Sequence, residues 1–575
     1  MQYMASLSIH ADEHAILSKC PGRYGVTFST QWYKHPEVDN YWICSKCYSE
    51  RIRHTRIAYH FIGFEHSPLP GHRATCDLGN STAARQHLRQ ASGDGNIAPL
   101  LSFMRTRQSI KTCCGVDGTY GGQGTTWYCT PEIASFVVCE ACYIDYIAHS
   151  LFASRFQQNP NEHPTTAIWS CDVAADYIGR LLSQTAARND WHRFVDAANH
   201  YITLPKCSTV GVPITSRKWF RPVKPVPLDH VMFCEACFVD LAALTPIASN
   251  FIEVTTEVSD AQRNWICDGS IVAVRNCNYI FSNSDTVSAQ NFPLWHKTVD
   301  QILKQPLCSA SITDGEWYTL SDPRYRVRIA NDDMDVCKAC YLTYGQASEF
   351  HDAFQQRHYQ TGSTRACDFH PSCGRSQSYF SAWLESLMKG SPHPLTDYAC
   401  LIAGLQPCQR SVSVAGSQWW GMDEFFFCPS CYKEIAETSY FASQFSWKGQ
   451  TSPSARCDMY TDNMRRRYLL ACQARDLTEF IAYCKEREEW FLVHKKNVEF
   501  QTSLRQITQQ ANLTNLSAAA WGQTMAVKAS GVGSQTWTHA TNNLMFAHTN
   551  MINGARPALK TPTAIRIEAE WKARE

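Results

Sequence analysis

The chain has 575 residues, enough for roughly three to five domains of ordinary size. Hydrophobic residues make up 44% and charged residues 18%, so the chain can bury large cores and is not disordered as a whole. Its 53 basic and 52 acidic side chains leave a formal charge of +1, which excludes a polybasic protein held to nucleic acid by charge alone. The unusual feature is the presence of 27 cysteines.

The compartment follows from what the sequence lacks. The N-terminal residues have no basic region followed by an apolar one, and no apolar run approaches the length of a transmembrane helix. We therefore expect an intracellular protein, cytoplasmic or nuclear, with no membrane partner. In a reducing compartment, cysteines at regular spacing bind metal more often than they form disulfides.

A repeat of five copies organises the cysteines. Each copy has a CxxC motif, which we call the knuckle: Cys44/Cys47, Cys139/Cys142, Cys234/Cys237, Cys337/Cys340 and Cys428/Cys431. A single lead cysteine stands upstream of each knuckle: Cys20, Cys114, Cys207, Cys308 and Cys408. A Cys-Asp pair follows 26 to 30 residues after each knuckle: Cys76-Asp77, Cys171-Asp172, Cys267-Asp268, Cys367-Asp368 and Cys457-Asp458.

Aromatic residues recur in register with these cysteines. A pair of aromatics lies between the lead cysteine and the knuckle, and its first members are Trp32, Trp127, Trp219, Trp317 and Trp419. An aromatic directly follows each knuckle, and a phenylalanine lies fourteen residues after its second cysteine: Phe61, Phe156, Phe251, Phe354 and Phe445. Aromatics repeated in this way are typical of a module core, and stacking of nucleic-acid bases on the Trp pairs is the alternative.

The predicted elements of one copy follow from the hydrophobic pattern. Apolar runs such as FVVC and FFFC predict a short strand that enters the knuckle. The segment CYIDYIAHSLFASRF predicts an amphipathic helix directly after it. We expect the aspartate of the Cys-Asp pair to be the N-cap of the next helix, as before VAADYIGRLLSQ, and a further helix in segments such as DWHRFVDAANHYI. The predicted fold class is α+β, a tandem array of five zinc-stabilised modules with short strands, a knuckle and two or three helices each.

The repeat sets the domain boundaries. Modules 1 to 5 are predicted at residues 1–112, 113–206, 207–307, 308–407 and 408–498. The tail, residues 499–575, lacks the repeat, and only 11 of its 77 residues are charged. Leu504, Ile507, Leu513 and Leu516 have helical spacing, so we expect a mainly helical segment that docks on the array or on another copy of the chain.

The cysteines of one module make a four-thiolate set, which suits structural zinc. Such a closed site contributes folding energy and leaves no coordination position for water. We expect about five zinc ions per chain. Iron–sulfur ligation and disulfides are the alternatives. The predicted metal ligands are Cys20, Cys44, Cys47, Cys76, Cys114, Cys139, Cys142, Cys171, Cys207, Cys234, Cys237, Cys267, Cys308, Cys337, Cys340, Cys367, Cys408, Cys428, Cys431 and Cys457.

The spacing leaves some ligand choices open. Cys113 stands beside Cys114, so the second lead ligand is ambiguous, and His370 and Cys373 offer an alternative set with Cys367. A Cys-Asp cysteine can also join the lead cysteine of the next module. The cysteines outside the predicted sets are expected to be buried apolar residues: Cys113, Cys129, Cys277, Cys373, Cys400, Cys472 and Cys484.

No catalytic motif is readable, so the sequence favours a non-enzymatic protein without deciding the question. We expect an intracellular zinc-binding repeat protein that acts as a binding or scaffold protein, with a protein partner and self-association through the tail. The first alternative is nucleic-acid binding through the basic strip 51–56 of module 1 and exposed aromatics. The second is an enzyme with a site in a groove between modules.

The tight basic run Arg465, Arg466 and Arg467 is expected on a solvated helix face.

Overall fold

The computed structural model describes residues 16–116, 118–120, 124–159, 168–255, 264–282, 287–322, 334–410, 414, 418–422, 425–450, 455–494 and 570. It has a mixed fold of small antiparallel sheets and helices, as the sequence predicts. The chain divides into two compact units. Unit 1 comprises Met1–Pro68, Arg73–Lys304 and Glu385–Ser391, and unit 2 comprises Leu69–His72, Gln305–Leu384 and Pro392–Glu575. The predicted tail lies outside the described residues, apart from residue 570.

Every knuckle belongs to a three-stranded antiparallel sheet in which a central strand lies between a knuckle strand and a third strand. The central strands are Thr30–Lys34, Trp127–Cys129, Trp219–Pro222, Trp317–Leu320 and Gln418–Met422. The knuckle strands are Ile43–Cys44, Val137–Cys139, Phe233–Cys234, Val336–Cys337 and Phe425–Phe427. The third strands are Ile62–His66, Gln157–Gln158, Phe251–Glu253, Phe354–Arg357 and Ser446–Gln450.

A second, shorter pairing joins the segment after each lead cysteine to the segment before the Cys-Asp pair. It forms two-residue strand pairs in modules 2 to 4: Thr119–Tyr120 with Ile168–Trp169, Val212–Pro213 with Asn264–Trp265, and Ile312–Thr313 with Thr364–Arg365. In modules 1 and 5 it is a single bridge, Val26 with Ala74 and Val414 with Ala455. The pairing draws the two cysteines that are distant in sequence to one place.

A helix begins at each knuckle, with the first knuckle cysteine as its N-cap. In modules 1 and 3 it is a single α-helix, Ser45–Arg51 and Glu235–Leu241. In modules 2, 4 and 5 a short α-helical turn continues as a π-helix: Glu140–Cys142 with Tyr143–Ile147, Lys338–Cys340 with Tyr341–Gln346, and Pro429–Cys431 with Tyr432–Ala436. We call these segments the knuckle helices.

The knuckle helices are shorter than the hydrophobic pattern predicts. In module 2 the helix ends at Ile147, and a separate 3₁₀ turn, Ala153–Arg155, leads into the third strand. The other four 3₁₀ turns at this place are Ala58–His60, Pro246–Asn250, His351–Ala353 and Ala442–Gln444. The break lets the chain reverse, and Phe156 is buried in the core of module 2. A continuous helix would carry the chain away from the sheet.

Two helices close each module and agree with the sequence prediction. The penultimate helices are Thr82–Asp94, Asp176–Ala187, Val272–Phe281, Ser376–Lys389 and Asp462–Ala474. The last helices are Ala98–Gln108, Trp191–Thr203, Phe292–Leu303, His393–Ile402 and residues 478–494. Short turns after the Cys-Asp cysteines, Asp77–Asn80, Asp172–Ala174, Asp268–Ser270 and Asp458–Tyr460, precede four of the pairs. Among the described helices, none combines the length and the hydropathy needed to cross a bilayer.

The repeated aromatics form the module cores. The first Trp of each pair is at most 3% exposed, and the phenylalanine after the knuckle is at most 7% exposed. The second aromatic of the pair stacks face to face on the aromatic that follows the knuckle, with ring centroids 3.6 to 4.1 Å apart. These stacked pairs are Tyr33/Tyr48, Tyr128/Tyr143, Phe220/Phe238, Tyr318/Tyr341 and Trp420/Tyr432. The stack ties the central strand to the knuckle helix.

Neighbouring modules within a unit are joined at one recurrent position. The residue three places after the second knuckle cysteine is acidic in modules 2, 3 and 5, and it accepts a hydrogen bond from the last helix of the preceding module. The pairs are Arg107 Nε to Asp145 Oδ2 at 2.9 Å, Tyr201 Oη to Asp240 Oδ1 at 3.0 Å, and Tyr398 Oη to Glu434 Oε1 at 2.9 Å. The last helix of one module therefore docks on the knuckle helix of the next.

The junction between modules 1 and 2 generates a stability prediction. Arg107 and Asp145 are 8% and 7% exposed, so Arg107→Leu leaves a buried carboxylate without its cation and should destabilise the junction by about 3–5 kcal/mol. Burial raises the pKa of Asp145, so protonation relieves the penalty. The loss in unfolding free energy should be larger at about pH 8 than at about pH 5.

The control for this prediction is the double variant Arg107→Leu with Asp145→Leu, which removes both charges and should recover most of the stability. Denaturant unfolding of the three proteins at both pH values measures the effect. Equal stability of the single variant and the natural chain would show that the ion pair does not hold the junction.

Candidate metal centres

The structure brings twenty cysteines together in five groups of four. In each group the four sulfur atoms lie within 4.8 Å of one another. The groups are Cys20, Cys44, Cys47 and Cys76; Cys113, Cys139, Cys142 and Cys171; Cys207, Cys234, Cys237 and Cys267; Cys308, Cys337, Cys340 and Cys367; and Cys408, Cys428, Cys431 and Cys457. Each group draws its members from one predicted module, so the pairing is within modules and not between them.

The lead cysteine of the second group is Cys113, where we expected Cys114. The Cys113 sulfur faces the knuckle and accepts a hydrogen bond from Gly115 N at 3.3 Å. The Cys114 thiol instead lies 3.6 Å from the carbonyl oxygen of Trp169. Cys114 is therefore next to the group in the chain but is not one of its four members.

The aspartate of the Cys-Asp pair is not an N-cap, so that prediction is wrong. In modules 1, 2, 3 and 5 its cysteine occupies the N-cap of a short helical turn, and in all five modules the aspartate carboxylate turns back to accept from the backbone N–H two residues before the knuckle. The bonds are 2.7–2.9 Å long and run from Trp42 to Asp77, Val137 to Asp172, Met232 to Asp268, Asp335 to Asp368, and Phe426 to Asp458. Each carboxylate thus fixes the strand that enters its knuckle to the helix turn that carries the last cysteine.

These carboxyl groups are held in dry surroundings. Burial raises the pKa of Asp77 and Asp268 to about 7 and the pKa of Asp172 and Asp368 to about 6. The backbone N–H bond opposes that rise in each case, because it favours the ionised form. These carboxylates position the knuckle strand through the backbone N–H bond, and none of them belongs to the four-sulfur groups.

A second recurrent bond acts on the sulfur atoms. The backbone N–H of the first knuckle cysteine donates to the sulfur of the Cys-Asp cysteine at 3.2–3.4 Å in all five groups. The bonded sulfurs are those of Cys76, Cys171, Cys267, Cys367 and Cys457. Such donors stabilise thiolate charge, as an anionic metal site requires.

The electrostatics of one group show why it suits a cation. The pKa of Cys20 lies well below its usual value because the thiols of Cys44, Cys47 and Cys76 donate to it. The pKa of the fully buried Cys76 rises well above its usual value because of desolvation. Four thiols this close cannot all ionise by themselves, whereas a bound divalent cation allows it.

The donor set fits zinc in type and size. A tetrahedral site with Zn–S bonds of ~2.3 Å places its sulfurs ~3.8 Å apart, which agrees with the 4.8 Å limit of these groups. In the described residues every potential ligand of the five groups is a cysteine, and at least two members of each are buried. A closed four-thiolate site of this kind can cross-link a fold, and it offers no open position to a substrate.

Two glycines make room for the sulfurs, and the sequence reasoning missed both. A Cβ at Gly79 would lie 2.4 Å from the sulfur of Cys20, and a Cβ at Gly269 would lie 2.9 Å from the sulfur of Cys237. Both glycines fall within three residues of a Cys-Asp cysteine. Gly79 is three residues after Cys76 and Gly269 two residues after Cys267, so the available signal was a glycine close behind this cysteine, which only modules 1 and 3 have.

The fifth group has an additional donor. Arg465 Nη2 lies 3.6 Å from the sulfur of Cys431 and 3.1 Å from Glu434 Oε2, and its Nε donates to the carbonyl of Met459. The side chain therefore packs between the knuckle helix and the cysteine group. The expectation of a solvated helix face is wrong for this member of the basic run.

The remaining cysteines stay outside the groups. The Cys373 thiol donates to Asp368 Oδ1 at 3.2 Å, and His370 Nδ1 contacts Ser372 Oγ at 2.7 Å, so neither joins Cys367 in an alternative ligand set. Cys277 and Cys484 are buried as predicted, and Cys472 packs against the core of module 5. Cys129, Cys373, Cys400 and Cys472 are only partly buried, so the prediction of burial is wrong for these four. Comparison with protein-family models, curated proteins and solved structures gives no match for this chain.

The contact of Gly79 with Cys20 gives a prediction that changes no ligand. Gly79→Ala should displace the lead sulfur and weaken the first site, because its Cβ cannot approach within 2.4 Å. After challenge with a chelator, elemental analysis should find up to one metal ion fewer per chain, together with a lower melting temperature. Gly93→Ala is the matched control, since a Cβ there meets nothing within 4 Å and helix Thr82–Asp94 continues around it.

The control should keep its full metal content and gain stability, by up to about 1 kcal/mol, from the better helix former. Equal metal retention in the two variants would mean that the close approach at Gly79 does not shape the site.

Proposed function

We propose that each cysteine group holds one zinc ion in a structural role and that the chain is an array of five zinc modules. The observation that carries this proposal is the recurrence of the same four-sulfur group, with all sulfurs within 4.8 Å, in five copies of one strand and helix arrangement. The proposed ligands are the twenty grouped cysteines, with Cys113 in place of Cys114. The module boundaries given by the repeat remain part of the proposal.

A structural role is supported by what surrounds the sulfurs. Each group ties together the lead segment, the knuckle and the start of the helix pair, which are the three parts of a module that are distant in sequence. The ion therefore replaces contacts that the short strands, some of only two residues, cannot supply. Sites of this kind contribute folding energy outright.

We further propose that the array works as a binding or scaffold protein with a protein partner. The recurrent junctions at Asp145, Asp240 and Glu434 line up successive modules, as in other repeat proteins that use extended surfaces for binding. Large apolar side chains also stand exposed on the last described helix, where Leu492 and Val493 are 61% and 77% exposed. Such residues are candidates for contact with a partner, including a second copy of the chain.

The metal content is the first test. Purified protein should contain about five zinc ions per chain by elemental analysis, and X-ray absorption should give four sulfur neighbours at ~2.3 Å. Iron in place of zinc, or a single metal ion per chain, would overturn the proposal. A full metal content with oxygen or nitrogen neighbours would overturn the structural role.

Adjacent cysteines in module 2 provide a matched pair of variants. Cys113→Ser should lose about one zinc ion and destabilise the module by several kcal/mol, because a thiolate leaves a closed site. Cys114→Ser removes a thiol from the next position and should keep all the zinc, since Cys114 lies outside the group. Cys142→Ser is expected to behave as Cys113→Ser. Loss of zinc from Cys114→Ser but not from Cys113→Ser would reverse the ligand assignment.

A further inference from the structure

The face of the knuckle helix that receives the preceding module has a counterpart in module 1. In module 2 the ring of His149 packs against His87 and Phe103 of module 1, with centroids 5.1 and 6.0 Å apart. In module 3 the carbonyl of Leu244 accepts from Gln184 of module 2 at 2.8 Å. Both residues lie seven places after the second knuckle cysteine, so this stretch is the docking face of a module.

The same stretch is cationic and exposed in module 1. Arg51, Arg53, His54 and Arg56 stand four, six, seven and nine places after Cys47, and all four side chains are exposed. The corresponding residues in the other modules include no lysine or arginine: Tyr146, Ala148, His149 and Leu151; Leu241, Ala243, Leu244 and Pro246; Tyr344, Gln346, Ala347 and Glu349; and Ile435, Glu437, Thr438 and Tyr440.

The acidic position of the junction is also used differently in module 1. Glu50 corresponds to Asp145, but its side chain is 53% exposed and pairs with Lys46 of its own helix at 2.9 Å. The docking-face positions of module 1 therefore differ from those of modules 2, 3 and 5 in how the acidic residue is paired. Three arginines replace the mainly neutral surface that the other modules present, within a module that carries 13 basic and 8 acidic side chains.

An exposed aromatic lies at the end of this strip. Tyr59 is 79% exposed and is in contact with the ring of His60, with centroids 4.1 Å apart. Arginines beside an exposed aromatic suit a strand that has both phosphates and unpaired bases, because the arginines pair with phosphate and the ring stacks on a base. The carboxylates of an acidic protein segment would pair with the arginines, but such a segment offers no base to stack on the ring of Tyr59.

We propose that the module 1 strip, formed by Arg51, Arg53, His54, Arg56 and Tyr59, binds single-stranded nucleic acid. The strip would then give the array a second kind of partner, besides the protein partner proposed above. This inference rests on the zinc-stabilised modules proposed above, since the knuckle of module 1 holds the helix Ser45–Arg51 from which the strip continues.

The test uses the full zinc-loaded chain and a fluorescein-labelled oligo-dT of about 20 nucleotides, with anisotropy measured across a salt series. The triple variant Arg51→Gln, Arg53→Gln and Arg56→Gln should bind at least about tenfold more weakly at low salt, and the slope of log K against log salt should become shallower by about 2. The control triple, Arg188→Gln, Arg193→Gln and Lys297→Gln, removes the same charge from exposed positions in modules 2 and 3 and should keep the affinity and the slope.

Tyr59→Ala tests the stacking contact separately. It should weaken binding by about 5- to 100-fold while the salt slope stays unchanged, because no phosphate contact is removed. Zinc content and melting temperature measured on every variant separate a failure of this inference from a failure of the zinc modules. Absence of binding by the zinc-loaded natural chain, an equal loss in the control triple, or equally effective competition by poly-glutamate would overturn the proposal.

Discussion

The constraint on which the fold depends is the convergence of four sulfurs on one point in every module. The lead cysteine and the Cys-Asp cysteine of module 1 are 56 residues apart, and the knuckle lies between them. The strands that could hold those segments together are short, and the lateral pairing in module 1 is a single bridge. A partly buried aspartate supplies the missing connection, because Asp77 fastens the knuckle strand to the turn that follows Cys76. The protein thus positions its sulfurs through one carboxylate and one backbone N–H per module, in an arrangement that could hold a cation of the right size.

The hydrophobic core and the cysteine group support each other through register. In modules 1 to 4 the first Trp of the central strand lies directly opposite the first knuckle cysteine. Module 5 keeps this register with its knuckle strand, because Trp420 pairs with Phe427, the residue before Cys428. The register shift between Trp419 and Trp420 lies in the pairing with the third strand, Ser446–Gln450. Trp419 is 1% exposed, so its ring is buried like the first Trp of the other modules.

Features that recur in every module can be predicted from the sequence. Features that depend on which way a side chain points cannot. The knuckle strands, the helix pairs and the buried Trp residues were readable because period and register mark them independently of neighbours. Cys113 and Cys114 cannot be distinguished in the same way, since the choice depends on which side of the chain faces the knuckle. Cys76 occupies the N-cap position, and the carboxylate of Asp77 turns back to the knuckle strand. Helix propensity indicates only that aspartate is favoured at the start of a helix. Gly79 and Arg465 act through contacts that single modules possess, so the repeat does not reveal them.

The residue three places after the second knuckle cysteine mediates the contact between successive modules of a unit. An acidic side chain there meets a donor from the preceding module in modules 2, 3 and 5. In module 4, the first module of unit 2, the residue is Thr343, which is fully buried and donates to the carbonyl of Ala339 in its own helix. The contact therefore recurs between consecutive modules of one unit, and the chemistry changes where unit 2 begins in the sequence. At Asp145, which is 7% exposed, a carboxylate without a donor would cost free energy, so the acidic residue there depends on the donor from module 1. Glu50 of module 1 is 53% exposed and pairs with Lys46 of its own helix, so it needs no donor from another module.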